Sequence, residues 1–189
     1  IPLRVHVDGR IHRLHLHLRR GRPRIYPHAA DERFCHAALA GAIQAVLGGG
    51  RGPRGCQRRP AEWQTIEAPY DCVQAMRRAV QSADIVLFDC LTLYVSNILL
   101  RPDLRGKVDL YQYVLEQVEN LLTSARSGPS NVVFVTNEVG MGIVPDNALA
   151  REFRDIAGSV NQKVATFADE VYLVVCGIPV KIKEYLQDG

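Results

Sequence analysis

The sequence predicts an α/β fold, a mostly parallel sheet flanked by helices, and three observations carry that expectation. Short runs of β-branched and aromatic residues, DIVLFDC at 84–90, NVVFVTN at 131–137 and EVYLVVCG at 170–177, are apolar along nearly their whole length. Between them lie longer segments whose apolar residues recur at helical spacing. Continuously apolar strands alternating with helices are the pattern of βαβ units, whose parallel strands are covered on both faces. In such sheets ligands bind beyond the carboxyl ends of the strands.

Each element follows from its own residues. In the front of the chain LRVHV (3–7) and LHLHL (14–18) alternate like short strands, and AALAGAIQAVL (37–47) reads as a short helix stopped by glycines. From residue 69 a helix is expected, because Val73, Met76 and Val80 step by three or four. After the strand at 84–90, LTLYVSNIL (91–99) reads as a helix and RPDLRGK (101–107) as a loop, by its Pro, Gly and charges. Helical spacing resumes over 109–125 with Leu110, Val114, Val118, Leu121 and Leu122 on one stripe, until SGPS breaks it. The strand at 131–137 leads into the glycine-punctuated loop EVGMGIVPDN and then a long amphipathic helix over 147–168. Its apolar stripe is Leu149, Phe153, Ile156, Val160, Val164 and Phe167. IPVKIK (178–183) reads as a short strand after the one at 170–177.

With 189 residues, 47% hydrophobic and 23% charged, the composition excludes a disordered or collagen-like chain. No run approaches the roughly eighteen apolar residues of a membrane span, and the start lacks the apolar core of a signal peptide, so a soluble, cytoplasmic protein is expected. The chain opens on Ile1, which reads as a fragment, a trimmed start or an unusual one. Five scattered cysteines, Cys35, Cys56, Cys72, Cys90 and Cys176, contain no CxxC pair and argue against a disulfide framework or a zinc ribbon.

The net charge of +3 hides an asymmetry. Residues 1–60 hold 12 Arg, no Lys and three acids, a balance of +9, while residues 61–189 hold 11 basic residues against 17 acids, a balance of −6. All six His lie at or before His36. The expected division is therefore an atypical basic segment over 1–58 and a nucleotide-binding-type α/β domain over 59–189. Arg, Gly, Ala, Pro and His richness without Lys is what a shifted frame of GC-rich DNA encodes, so residues 1–58 read as a shifted frame or a mis-joined start. Spread arginines can also neutralise a nucleic-acid backbone, but Tyr26 and Phe34 are their few aromatic companions, and nucleic acid is the lesser reading.

Some residues stand where chemistry is done. Asp89 ends the run IVLF and so emerges at the carboxyl edge of a strand, where a carboxylate can hold Mg²⁺; an Asp there also caps strand-to-helix turns. Asn137 and Glu138 end the next strand and open a loop whose glycines permit close backbone approach to a ligand. RPAEWQTIEAP (59–69) carries Trp63 and Glu67, although a lone Trp is more often a packing residue. His15 and His17 fall on one face of a strand, but no carboxylate or cysteine near them in sequence completes a metal site.

From residue 59 to about 183 the chain resembles the adenosylcobinamide kinase / adenosylcobinamide-phosphate guanylyltransferase family of cobalamin biosynthesis. The stretches that carry the likeness are RPAEWQTIEAP, DIVLFDCLTLYVSNIL and, above all, VVFVTNEVGMGIVPDNALAREFRDIAGSVNQKVATFADEVYLVVCGIPVKIK. The resemblance implies a P-loop NTPase-like, RecA-like fold, a homotrimer, and two transferase activities with Mg²⁺ and GTP or ATP as nucleotide. The first phosphorylates the hydroxyl of adenosylcobinamide's aminopropanol arm; the second adds GMP from GTP through a guanylyl-histidine. By the same resemblance Asp89 lies near the nucleotide and metal, Glu67 is the nucleotide-contacting acid of a WxTxE motif, and Arg59 ends a nucleotide-contacting stretch. The catalytic residues themselves are not assigned.

The chain departs from that family where the phosphates are handled. No GxxxxGK[ST] occurs, the stretch RGPRGCQRRP holds Gly55 near where the family has its guanylylated His, and no His follows His36. A non-catalytic oligomerising or nucleotide-binding relic of the family is the alternative reading. Without a central first strand from the front of the chain, the strands at 84–90 and 131–137 are expected to expose apolar edges.

Overall fold

The structure, a computed structural model, describes residues 13–18, 66–83, 85–176 and 178–183, the first stretch by its backbone alone. In chain order the elements are β1 (Arg13–Leu18), α1 (Cys72–Ser82), β2 (Ile85–Asp89), α2 (Leu91–Leu99), α3 (Leu110–Ala125), β3 (Asn131–Asn137), α4 (Ala148–Phe167), β4 (Glu170–Val175) and β5 (Ile178–Lys183). Every element expected after residue 69 is present, and β1 is the strand expected at LHLHL. The strand expected at 3–7, the helix expected at 37–47, Arg59 and Trp63 lie outside the described residues. β1 and the described residues from Glu67 onward belong to one compact unit.

The strands form one sheet in the order β2-β3-β1-β4-β5. β2 pairs with β3 in parallel, and β1 pairs antiparallel with both β3 and β4, as β5 does with β4. β2, β3 and β4 therefore all run the same way, which is the βαβ framework the alternation of elements predicts. The expectation of a mostly parallel sheet is nevertheless corrected: one of the four pairings is parallel and the sheet is mixed. The connection β3–α4–β4 leaves room for one strand between β3 and β4, and β1 enters that gap against their direction.

The same insertion corrects a second expectation. β3 is flanked by β2 and β1 and presents no open edge; Val132, Val133, Phe134 and Val135 are all buried. β2 does stand at the edge of the sheet, with its residues half-buried. A strand buried on both faces has no polar side to alternate, which is why NVVFVTN is a continuous apolar run.

All four described helices share one core with the sheet. Val132 and Phe134 of β3 and Val171 of β4 meet Cys72, Met76 and Val80 of α1, Leu91, Tyr94, Val95, Ile98 and Leu99 of α2, Val114, Val118, Leu121 and Leu122 of α3, and Ile156, Val160 and Val164 of α4. Of the stripes read from the sequence, Met76, Val80, Val114, Val118, Leu121, Leu122, Ile156, Val160 and Val164 are buried here, while Val73, Leu110, Phe153 and Phe167 pack half-buried against this core. Full burial of a Val, Leu, Ile or Met side chain contributes about 1.5–3 kcal/mol. Phe88 of β2 joins edge-on to Tyr94, with ring centroids 6.0 Å apart, and lies 5.5 Å from Phe134.

Helix ends are fixed by polar groups. Asp109 accepts the Gln112 N–H at 3.2 Å at the start of α3, and Asn147 accepts the Ala150 N–H at 3.1 Å at the start of α4. At the other end of α4, the Lys183 ammonium donates to the carbonyls of Ala165, Thr166 and Ala168. No helix among the described residues is long and apolar enough to cross a membrane.

Candidate functional site

Because β2 and β3 are parallel, their carboxyl ends open at the same edge of the sheet. Asp89, the last residue of β2, pairs opposite Val135 and is half-buried. The chain turns at Cys90 directly into α2, whose first turn holds Thr92. β3 runs on past the end of β2 to Asn137, still paired with β1 on one side, and on the β2 side side chains replace the strand ladder. Thr92 Oγ1 accepts the Asn137 N–H at 3.0 Å, and the Asn161 amide of α4 donates to the Asn137 carbonyl at 3.1 Å. Thr136 Oγ1 donates to Asn161 Oδ1 at 2.8 Å and lies 3.4 Å from Thr92 Oγ1. Thr136 and Asn161 are buried. Each polar group withdrawn from water here has a partner, as burial demands.

The loop that leaves this point, residues 138–147, is tied at both ends. Glu138 Oε1 accepts the Gly140 N–H at 2.6 Å, and Arg154 of α4 donates to the Gly140 carbonyl at 3.0 Å. Arg151 donates to the carbonyls of Pro145 and Asp146 at 2.9 and 2.6 Å. Between these anchors Met141, Ile143 and Val144 are exposed, Ile143 almost completely at 96%. The two arginines, three residues apart on α4, face one loop, which is why the loop has a definite shape despite its glycines.

Burial around the β2–α2 turn keeps the nearby groups neutral. It pushes the Cys90 thiol up, and the Asp89 charge adds to the effect. Burial likewise raises the Tyr94 hydroxyl, and takes the Cys72 thiol, aided by the Asp71 charge, to about 12. Neither buried cysteine is an activated nucleophile.

Glu67 is exposed on the segment that leads into α1. That segment is anchored at the last turn of α2, where the buried Asn97 amide donates to the Pro69 carbonyl at 3.2 Å, whereas Asp89 and Thr92 flank the first turn. The β1 register sets His15 opposite Val135 and Tyr172, and His17 opposite Val133 and Glu170. Glu170 is buried, accepts the Tyr172 hydroxyl at 2.9 Å and lies 3.7 Å from the Lys181 ammonium. Glu170, distant in sequence, is thus the register partner of His17.

Thr92, Thr136 and Asn161 escape the reading of the sequence, although two of them leave a trace in it. Thr136 is a polar residue inside an apolar strand run, and Asn161 occupies the buried stripe of α4 beside Val160 and Val164.

A helix-backed α/β sheet with a carboxylate and an ordered loop at the carboxyl edge of its parallel strands is the layout of a ligand-binding α/β enzyme. Residues 54–182 match the family model described as cobinamide kinase / cobinamide phosphate guanyltransferase, and the chain belongs to that family. It is 42% identical over 133 residues to the bifunctional adenosylcobalamin biosynthesis protein CobU of Escherichia coli, covering 67% of this chain and 74% of that one. To the protein of the same name from Salmonella typhimurium it is 44% identical over 131 residues, 66% and 72% of the two chains. The bifunctional adenosylcobalamin biosynthesis protein CobP of Pseudomonas aeruginosa is 32% identical over 160 residues, 82% and 88% of the two chains.

Proposed function

We propose that this chain is a bifunctional adenosylcobinamide kinase / adenosylcobinamide-phosphate guanylyltransferase, working at the carboxyl edge of β2 and β3 on a RecA-like, P-loop NTPase-like framework. The observation that carries this reading is Asp89, placed at the end of a strand that runs parallel to its neighbour, within the residues that match the family. A carboxylate there suits Mg²⁺, which takes one or two protein carboxylates and completes its shell with water and nucleotide phosphates. With GTP or ATP bound, an ion held by Asp89 would supply charge neutralisation of the phosphates during transfer. In the kinase half, the substrate hydroxyl forms a bond to the γ-phosphorus and the nucleoside diphosphate leaves. In the second half, GMP passes to the new phosphate and pyrophosphate leaves. Asp89 is assigned to the metal and nucleotide, and Glu67 and Arg59 to the nucleotide. Adenosylcobinamide and its phosphate are the acceptors, a homotrimer the assembly, and the cytoplasm the compartment.

One observation favours a second reading, a non-catalytic nucleotide-binding or oligomerising member of the family: the sequence holds no GxxxxGK[ST] and no His after His36. Incubating the full chain with α-labelled GTP and Mg²⁺, then denaturing it and treating it with acid, separates the two. An acid-labile guanylyl adduct, with a nucleotide-dependent rise in melting temperature that Asp89→Asn abolishes, supports the enzyme. No adduct and no rise overturns it, and a rise without adduct leaves the nucleotide-binding relic. The division into a basic segment over 1–58 and a domain over 59–189 is tested at the gene: a shifted frame encoding GxxxxGK[ST] upstream supports a mis-joined start, and its absence removes that explanation.

A further inference from the structure

The end of β3 is held in an unusual way. β2 stops opposite Val135, so beyond that point the ladder on the β2 side gives out, and the main-chain groups of Asn137 need other partners. Both find side chains from helices: the N–H goes to Thr92 of α2 at 3.0 Å and the carbonyl takes the Asn161 amide of α4 at 3.1 Å. Thr136 locks the two together by donating to Asn161 Oδ1 at 2.8 Å, which also fixes which way the Asn161 amide faces. A single residue is thus held from two helices at once on the β2 side, immediately before Glu138, while β1 runs along its other side with Arg13 opposite it.

From this, we infer that Thr92 and Asn161 are positioning residues for the transfer reactions: they clasp Asn137 and thereby set where Glu138 and the 138–147 loop stand against the nucleotide at the carboxyl edge of the sheet. The inference deepens the reading of that edge as the nucleotide site and rests on it. Its physical content is that the clasp is a pivot. Beyond Glu138 the loop is fixed to α4 by Arg154 at Gly140, and at its far end by Arg151 at Pro145 and Asp146. Releasing the clasp leaves Asn137 held by β1 alone, so the stretch between it and the Arg154 anchor at Gly140 loses its fixed start. Displacement of a positioning group by about 1 Å costs on the order of a hundredfold in rate, while ground-state affinity depends on it far less.

Three variants of the full chain test this. Thr92→Val keeps the shape and removes the acceptor, Thr92→Ser restores it, and Asn161→Leu removes the donor to the Asn137 carbonyl. Each is measured for hydrogen exchange of the 138–147 amides, for melting temperature, and for kcat and KM of phosphate transfer from nucleotide to cobinamide. The expected result is exchange at least tenfold faster over 138–147 in Thr92→Val and Asn161→Leu. kcat falls at least tenfold with the nucleotide KM within about threefold, and Thr92→Ser returns both to within threefold of the parent. Unchanged exchange over 138–147 overturns the inference, as does faster exchange spread over the whole chain with a matching loss of melting temperature. A Thr92→Ser variant as impaired as Thr92→Val also overturns it. If the parent chain transfers neither phosphate nor guanylyl, the proposed function falls, and the exchange measurement alone decides whether the clasp holds the loop.

Discussion

Gly128 lies so close to the main chain of Val80 that a Cβ built on it would stand 2.1 Å from the Val80 carbonyl oxygen and 2.6 Å from its carbonyl carbon. The break between α3 and β3 is therefore packed directly against the last turn of α1. Gly128→Ala is expected to cost about 3 kcal/mol, the upper range for overpacking, because the obstacle is backbone and cannot rotate away. Urea unfolding measures it; a midpoint unchanged from the parent would refute the close approach.

Close by, Ser130 Oγ reaches the carbonyls of both Val80, at 2.9 Å, and Ala83. Ser130 is buried, so Ser130→Ala strips the buried Val80 carbonyl of a partner where water does not replace it. A loss of about 1–3 kcal/mol follows for a buried group left unpaired. The same unfolding titration checks it, and the Ala variant should retain the parent slope with denaturant.

Lys183 carries three ammonium protons and three carbonyl partners at the end of α4, at 2.8, 3.0 and 2.7 Å. A cation there also meets the negative end of the helix dipole. Lys183→Met keeps the stem and removes the charge, and is expected to cost about 1–2 kcal/mol. Calorimetry should show a fall of a few degrees, with less difference between variant and parent at high salt.

The pH dependence follows from the buried thiols and phenol. Cys72 moves from 9.0 to about 12, and Cys90 and Tyr94 are raised by burial. The folded state keeps protons that the unfolded state releases, so this stabilisation is complete below pH 9 and is lost as the pH climbs toward 12. The melting temperature should hold level near neutrality and drop steeply above pH 9, and Cys72→Ala should flatten the drop. In a background with Cys35 and Cys56 replaced by Ser, a disulfide reagent at pH 8 should label the exposed Cys176 rapidly and Cys72 and Cys90 only on unfolding.

Cys176 itself stands at φ 52 between β4 and β5, in the left-handed region that side chains other than Asn and Gly enter at a cost. Cys176→Asn, giving the Asn-Gly pair favoured in two-residue hairpins, is expected to stabilise the chain by about 1 kcal/mol. An unfolding midpoint at or below that of the parent would count against this.

The sequence by itself determined the elements from residue 69 onward and the end of β3 at Asn137, whereas β2 and β4 stop at Asp89 and Val175, short of the runs 84–90 and 170–177. Those depend on local periodicity: the stripe Val114, Val118, Leu121 and Leu122 and the run NVVFVTN each declare their burial without reference to a partner. Asp89 and Asn137 were placed at strand ends for the same reason. Tertiary structure alone decided the rest. That β1 enters between β3 and β4 against their direction depends on a gap created by a connection elsewhere in the chain. A strand with a two-residue repeat can join its neighbours in either direction. The level of His17 with Glu170 follows from that register. The clasp on Asn137 joins residues 45 and 24 positions away, because its partners are fixed by how α2 and α4 pack on the sheet. Hydrogen bonds beyond the end of a ladder belong to packing, and packing is set by the whole core rather than by any one segment.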